Sequence, residues 1–188
     1  MNSTKKEAIL DAALNLFVKN GIDATSIRSI AKGAKTAEGN IYRHFENKND
    51  LAREIFLNCT MQFRSAFEEA VEKKDSPEEQ ISALVRSIFD FSINMKREFA
   101  YIFIVFHREE IITKETLSKP LPKDVFVDIL KKGMEAGDFR SVNPDIVVSW
   151  YVGMVQRSFT FLERGMTPLS QDEVIEQTVD AALRIIKN

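Results

Sequence analysis

The sequence is poor in the residues that do most covalent and metal chemistry. Among 188 residues cysteine occurs once, at Cys59, and histidine twice, at His44 and His107. A single cysteine excludes an internal disulfide and leaves no thiolate set for structural zinc. No grouping of histidine, cysteine and carboxylate has metal-ligand spacing, so neither a metal nor another cofactor is expected. Glycine occurs seven times, yet no glycine-rich phosphate loop and no nucleophile elbow are present. Long apolar runs are missing too, and no segment approaches the roughly 18 residues needed to span a bilayer. The opening stretch "MNSTKKEAILDAAL" lacks the apolar core and small-residue cleavage site of a secretion signal. The charge runs "KREFAY" and "FHREE" read as solvated faces. These absences argue against an enzyme and for a cytoplasmic protein.

What is present suits a globular chain. Hydrophobic residues make up 44% and charged residues 29%, enough to bury a substantial core. The formal net charge of −2 hides an asymmetry. Residues 1–48 carry eight Lys/Arg and five Asp/Glu, leaving the remainder acidic. A mildly basic head on an acidic body is compatible with nucleic-acid binding by the head alone.

The punctuation is helical throughout, and the fold class expected is all-α with about nine helices. Thr4 with Glu7 is a capping-box pattern, and Gly21 closes the helix it opens. Thr25 or Ser26 starts a short second helix. Thr36 can cap a third, short helix ending near His44, and Asn47 with Asp50 starts a fourth. Ser76-Pro77-Glu78-Glu79 combines an N-cap serine, a first-turn proline and a capping glutamate. Leu121-Pro122 opens a helix ended by Gly137, and Asn143-Pro144-Asp145 opens another running to Gly165. Ser170 with Glu173 caps the last. "FAYIFIVF" (99–106) is apolar on all sides and could be a strand alone. No other segment alternates with period two, so a buried helix is the consistent reading. The boundary between head and body is placed near Phe45–Asn49, giving a domain of residues 1–47 and one of 48–188.

Two short helices across a tight turn, Thr25–Ala34 and Thr36–His44, have helix-turn-helix dimensions. In that motif the second helix enters the major groove and the first crosses the backbone. The stretch "TAEGNIYRHFENKNDL" suits that task. Ala37 and Gly39 are small and let the backbone approach a duplex. Tyr42 offers a hydroxyl and a flat ring, while Arg43 and His44 reach phosphates or bases. Lys35, Thr36, Glu38 and Asn40 share the same tip. Thr25, Ser26 and Arg28, at the start of the crossing helix, are placed on the backbone, and Lys48 on a further phosphate. Phe45 is expected to plug the head's core.

Here the chain resembles the tetracycline-repressor (TetR) family of bacterial regulators. The resemblance is carried by "LFVKNGIDATSIRSIAK" and "GNIYRHFENKNDL". Phe17, Gly21, Thr25, Ser26, Ile30, Ala31, Gly39, Tyr42, Phe45, Lys48 and Leu51 occupy the family's spaced positions. The resemblance implies an all-helical homodimer whose small head, a three-helix helix-turn-helix domain, binds a palindromic operator. The larger helical-bundle body binds a small molecule that releases the DNA. The turn departs from the family's usual Ala-Gly-Val-Ser, reading Ala34, Lys35, Thr36, Ala37. Lys35 must then take a glycine's conformation, at about 1 kcal/mol if left-handed. Thr36 can replace the usual cap serine one residue early. Glu38 stands where lysine is common, to repel phosphate or accept from a cytosine amino group.

The body is rich in phenylalanine. Phe63, Phe67, Phe89, Phe99, Phe103 and Phe106 fall at core-like helical spacings. They either pack a bundle or line a cavity for an apolar or aromatic effector. His107 follows as a hydrogen-bonded structural residue or a ligand contact. Arg157, on one face with Trp150 and Phe161, can hold an anionic ligand group, pair with a carboxylate within the fold, or sit at a dimer seam. The last two helices look two-sided. Tyr151, Val155, Phe159 and Leu162 on one, with Val174, Thr178, Ala181 and Ile185 on the other, are assigned to the dimer interface, in a four-helix seam. The rival to a regulator is a helical adaptor whose basic head binds protein.

Overall fold

The computed structural model describes residues 4–105 and 107–187, and Phe106 lies outside them. The described residues form ten α-helices: α1 (Lys5–Asn20), α2 (Ile27–Gly33), α3 (Glu38–Tyr42), α4 (Lys48–Val71), α5 (Pro77–Asn94), α6 (Lys96–Phe103), α7 (Lys114–Leu117), α8 (Pro122–Ala136), α9 (Pro144–Glu163) and α10 (Gln171–Ile186). Their starts follow local chemistry. Thr4, Ser76 and Ser170 each accept from the backbone N–H three residues on, and the glutamate there returns the bond. Gly137 closes α8 at φ 82°, the left-handed conformation a glycine takes without strain. The helix beyond the nine expected, α7, has a single turn capped by Thr113. It is too short to show a hydrophobic period, which is why periodicity misses it. Within the apolar 99–105 stretch the helix ends at Phe103, and Ile104 beyond it is 65% exposed.

The chain forms two compact units. The first takes in the chain up to Met61 together with Lys96–Pro120, and the second Gln62–Met95 with Leu121–Asn188. The first unit buries Ile9, Ala13, Phe17, Ile30, Ile41, Phe45, Leu51, Ile55, Phe56, Tyr101 and Ile111 in one core. Phe45 plugs that core at 2% exposure. Polar ties hold α6 and its following loop against the head helices. Arg97 reaches Asp11 at 2.8 Å and Asn15 at 2.7 Å on α1. Tyr101 donates its hydroxyl proton to the Ala52 carbonyl at 2.9 Å. Arg108 pairs with Asp23 at 2.9 Å, and Arg53 donates to the Glu110 carbonyl. None of these ties is visible in the sequence, because each joins residues far apart along the chain.

The second unit is built on an aromatic chain. Phe63 lies 4.4 Å from both Phe67 and Phe91, Phe67 meets Phe126 at 5.2 Å, and Phe126 meets Tyr151 at 5.8 Å. Phe63, Phe67 and Phe89 are all but fully buried. Each such side chain contributes roughly 2–3 kcal/mol by burial. In the first unit, Phe99 packs on Phe103 at 4.9 Å. Of the phenylalanines read as packing a bundle or lining a cavity, Phe63, Phe67, Phe89 and Phe99 are packed core and Phe103 is half-buried. Their shared helical spacing cannot distinguish a core from a cavity.

Candidate nucleic-acid interface

The head's two short helices are joined by a Schellman turn. The Lys35 N–H donates to the Lys32 carbonyl at 3.2 Å, and the Thr36 N–H to the Ala31 carbonyl at 2.9 Å. Lys35 has φ 50°, the left-handed position that glycine usually fills in this motif. Its strain is stored in the turn. Lys35→Gly is expected to stabilise the protein by about 1 kcal/mol, read as a rise in midpoint on chemical denaturation. An unchanged or lower midpoint would mean that the lysine is strain-free there.

The start of α3 differs from expectation. Ala37 is the N-cap and gives no side-chain cap. Thr36 does not cap; its hydroxyl accepts from the Asn40 carboxamide at 2.8 Å. That bond ties the turn to the middle of α3 and fixes Asn40 half-buried. Ser26 caps α2 by accepting from the Ser29 N–H at 3.1 Å.

Two candidates for DNA contact face inward. Thr25 is 2% exposed, and its hydroxyl donates to the carbonyls of Gly21 at 2.7 Å and Leu16 at 3.3 Å. Lys48 aims its ammonium at three backbone carbonyls, Ile22 at 2.7 Å, Thr25 at 2.9 Å and Asp23 at 3.1 Å. All three of its donors are then used. Both residues clamp the loop between α1 and α2 rather than reach a phosphate. From sequence they could be placed in the head, but not on a face of it.

The remaining candidates stand out from the head. Ser26, Arg28, Lys35, Ala37, Glu38, Gly39, Tyr42, Arg43 and His44 are exposed. Tyr42 is 56% exposed, unusual for an aromatic side chain without a task. A Cβ built on Gly39 would meet nothing within 4 Å. No internal contact requires that glycine, so its smallness serves the outer face. Small, aromatic and cationic side chains together can lie against sugar and phosphate and reach base edges.

His107 follows the first unit's aromatic run. Its ring stands edge-on to Tyr101 at 4.7 Å and to Phe56 at 5.3 Å. Its Nε2 is buried without a hydrogen-bond partner among the described residues. Burial pulls its pKa below the ordinary histidine value, against a backbone hydrogen bond with Val105 that raises it. The neutral form is therefore favoured by folding. Stability contributed by this group is fully present above the unfolded value of about 6.5 and is lost as pH falls from there through the lower folded value. His107→Gln is expected to flatten that slope in thermal melts between about pH 7 and 5; an unaltered slope would assign it elsewhere.

In the second unit the faces of α9 are exchanged relative to expectation. Tyr151 and Val155, assigned to a dimer seam, are fully buried, and the Tyr151 hydroxyl donates to the Ala182 carbonyl at 2.8 Å. Val174 and Thr178 are also largely buried. Phe159, Leu162, Ala181 and Ile185 are half-buried. Trp150 at 45% and Phe161 at 40% exposure point outward, and Arg157 is exposed. Arg157 borders a groove of about 630 Å³ between α9 and α10, with Gly153, Met154, Phe161, Thr178 and Ala181. Both faces of α9 are apolar, so periodicity alone left open which one meets the core.

Among the described residues no helix is long and apolar enough to cross a membrane. No group of three His, Cys, Asp or Glu could hold a metal ion there. Cys59 is buried, and burial pushes its thiol up to about 12.

Comparison with known proteins matches this architecture over nearly its whole length. Residues 9–55 match the family "Bacterial regulatory proteins, tetR family". Residues 74–186 match "Tetracyclin repressor-like, C-terminal domain". The chain is 24% identical to the transcriptional repressor KstR2 of Mycolicibacterium smegmatis, over 93% of this chain and 87% of that one. It is 32% identical to the fatty acid metabolism regulator protein of Bacillus subtilis, over 43% of this chain and 42% of the other. A tetR-family regulator from a Shewanella species superposes with a TM-score of 0.82 at 19% identity, covering 99% of this chain and 100% of that one. FadR of Bacillus subtilis, solved with stearoyl-CoA, superposes with a TM-score of 0.74 at 19% identity, covering 95% of each chain. The chain belongs to the TetR family of DNA-binding transcriptional regulators.

Proposed function

We propose that the protein is a cytoplasmic, homodimeric repressor that binds a palindromic operator and leaves it when an apolar effector occupies the body. The observation that carries the DNA side is the outward tip of α3. Gly39, Tyr42, Arg43 and His44 are exposed there, and Gly39 has no packing role. Two-fold symmetry would set two such tips about one duplex turn apart, roughly 34–36 Å. The exposed apolar stripe of α9 supplies the face for a second copy.

The effector side follows from chemistry and relatives. The aromatic rings of the second unit pack on one another, so an effector favours a state in which they part. A long acyl chain suits such a space, and a similar fold was solved with stearoyl-CoA. Helix α4 contributes residues to both compact units, which makes it the lever between effector and DNA. The coupling needs an effector that binds one state more tightly than the other.

The test is selection of genomic fragments by the purified protein, followed by release with a chain-length series of acyl-CoA esters. Enrichment of a palindrome with half-sites about one turn apart, and release by long but not short chains, is the expected result. Enriched sites without internal symmetry would overturn the dimeric reading. Release by free CoA, or by no ester, would overturn the acyl effector.

A further inference from the structure

The groove between α9 and α10 has one charged residue on its lining, Arg157. Among the described residues its guanidinium has no ion-pair or hydrogen-bond partner. It stands in a stripe of exposed residues along α9 made of Ile146, Trp150, Gly153, Arg157 and Phe161, with half-buried Met154 beside Gly153. At about 100° per residue these six positions share one face of the helix. Their order is self-complementary about the midpoint between Gly153 and Met154. Trp150 lies one turn before that midpoint and Arg157 one turn after it. Ile146 lies two turns before and Phe161 two turns after.

We propose that α9 crosses its own copy antiparallel with the two-fold axis between Gly153 and Met154, so that each Arg157 lies over the ring of the partner's Trp150. This rests on the dimeric reading above and adds its register. Each juxtaposition is favourable. Gly153 receives the partner's Met154, a small residue against a large one, and a Cβ on Gly153 would meet nothing within its own chain. Phe161 meets the partner's Ile146. The guanidinium finds an aromatic face, an attraction made twice by symmetry. Neighbouring registers lack this match. Moving the axis one turn toward the C-terminus brings the two guanidiniums together, like charge against like. Moving it one turn toward the N-terminus sets each guanidinium against the start of the other α9, whose exposed amides are also positive.

The test uses the full chain with single cysteines introduced on the stripe; buried Cys59 does not compete. Met154→Cys is expected to form a disulfide-linked dimer on mild oxidation, because its two copies sit beside the axis. Ile146→Cys and Phe161→Cys are each expected to stay uncrosslinked alone and to link when the two variants are mixed. Trp150 is the only tryptophan, so its emission reads the same contact: dilution into monomers shifts it to the red. Arg157→Ala is expected to raise the dimer dissociation constant about tenfold. A dimer in which neither Met154→Cys nor the mixed pair links would overturn the register and leave the dimeric reading standing. A monomer at every concentration would overturn both.

Discussion

Lys48→Met is expected to destabilise the head severely. Its ammonium donates to the carbonyls of Ile22, Asp23 and Thr25, all within 3.1 Å. Methionine keeps the stem's length and packing but removes every donor. Three carbonyls lose their partner at once, and the loop between α1 and α2 loses its tie to α4. Hydrogen bonds from a charged donor contribute about 1.5–3 kcal/mol, and part-buried acceptors left bare add to the loss. A cost of about 2–4 kcal/mol follows, or a fall of roughly 5–15 °C in melting temperature for a chain this long. Thermal unfolding monitored by circular dichroism checks it. An unchanged melting temperature with weakened DNA binding would return Lys48 to the phosphate backbone.

Arg43→Ala is expected to do the reverse, removing operator binding while leaving the fold intact. Arg43 follows α3 as its C-cap residue and is exposed. A base or phosphate contact of this kind is worth about 1–3 kcal/mol, and a dimer makes it twice. Affinity should fall by about 30-fold or more, with a shallower dependence on salt if the contact is to phosphate. Titration of a selected operator at several salt concentrations, beside a thermal melt, measures both. A large fall in melting temperature with binding retained would place Arg43 in the packing of the head. Lys48 and Arg43 are thus a matched pair of cations with opposite readouts, separated only by the direction in which each side chain points.

The local signals were legible. Capping boxes at Thr4, Ser76 and Ser170, the first-turn prolines at Pro77, Pro122 and Pro144, and the closing Gly137 act within one turn of chain. Sequence distance and spatial distance are there the same thing. The strained Lys35 was legible through the family resemblance, since it stands where the family's turn has glycine. The cap at Thr36 was misplaced because two geometries compete within one residue, and the bond to Asn40 prefers the second.

Residue order by itself determined the helical class, the helix-turn-helix with its exposed tip, and the family. These depend on periodicity, caps and spaced motifs that are local. Only the tertiary structure decided which way side chains face. It turned Thr25 and Lys48 inward. It packed Phe63, Phe67 and Phe89 together, and it put Tyr151 and Val155 inside with Trp150, Arg157 and Phe161 outside. It also joined the 96–120 segment to the head through Arg97, Tyr101 and Arg108. A helix that is apolar on two sides satisfies its own period whichever side is buried. The choice is made by what the rest of the chain packs against it, and that information is not local.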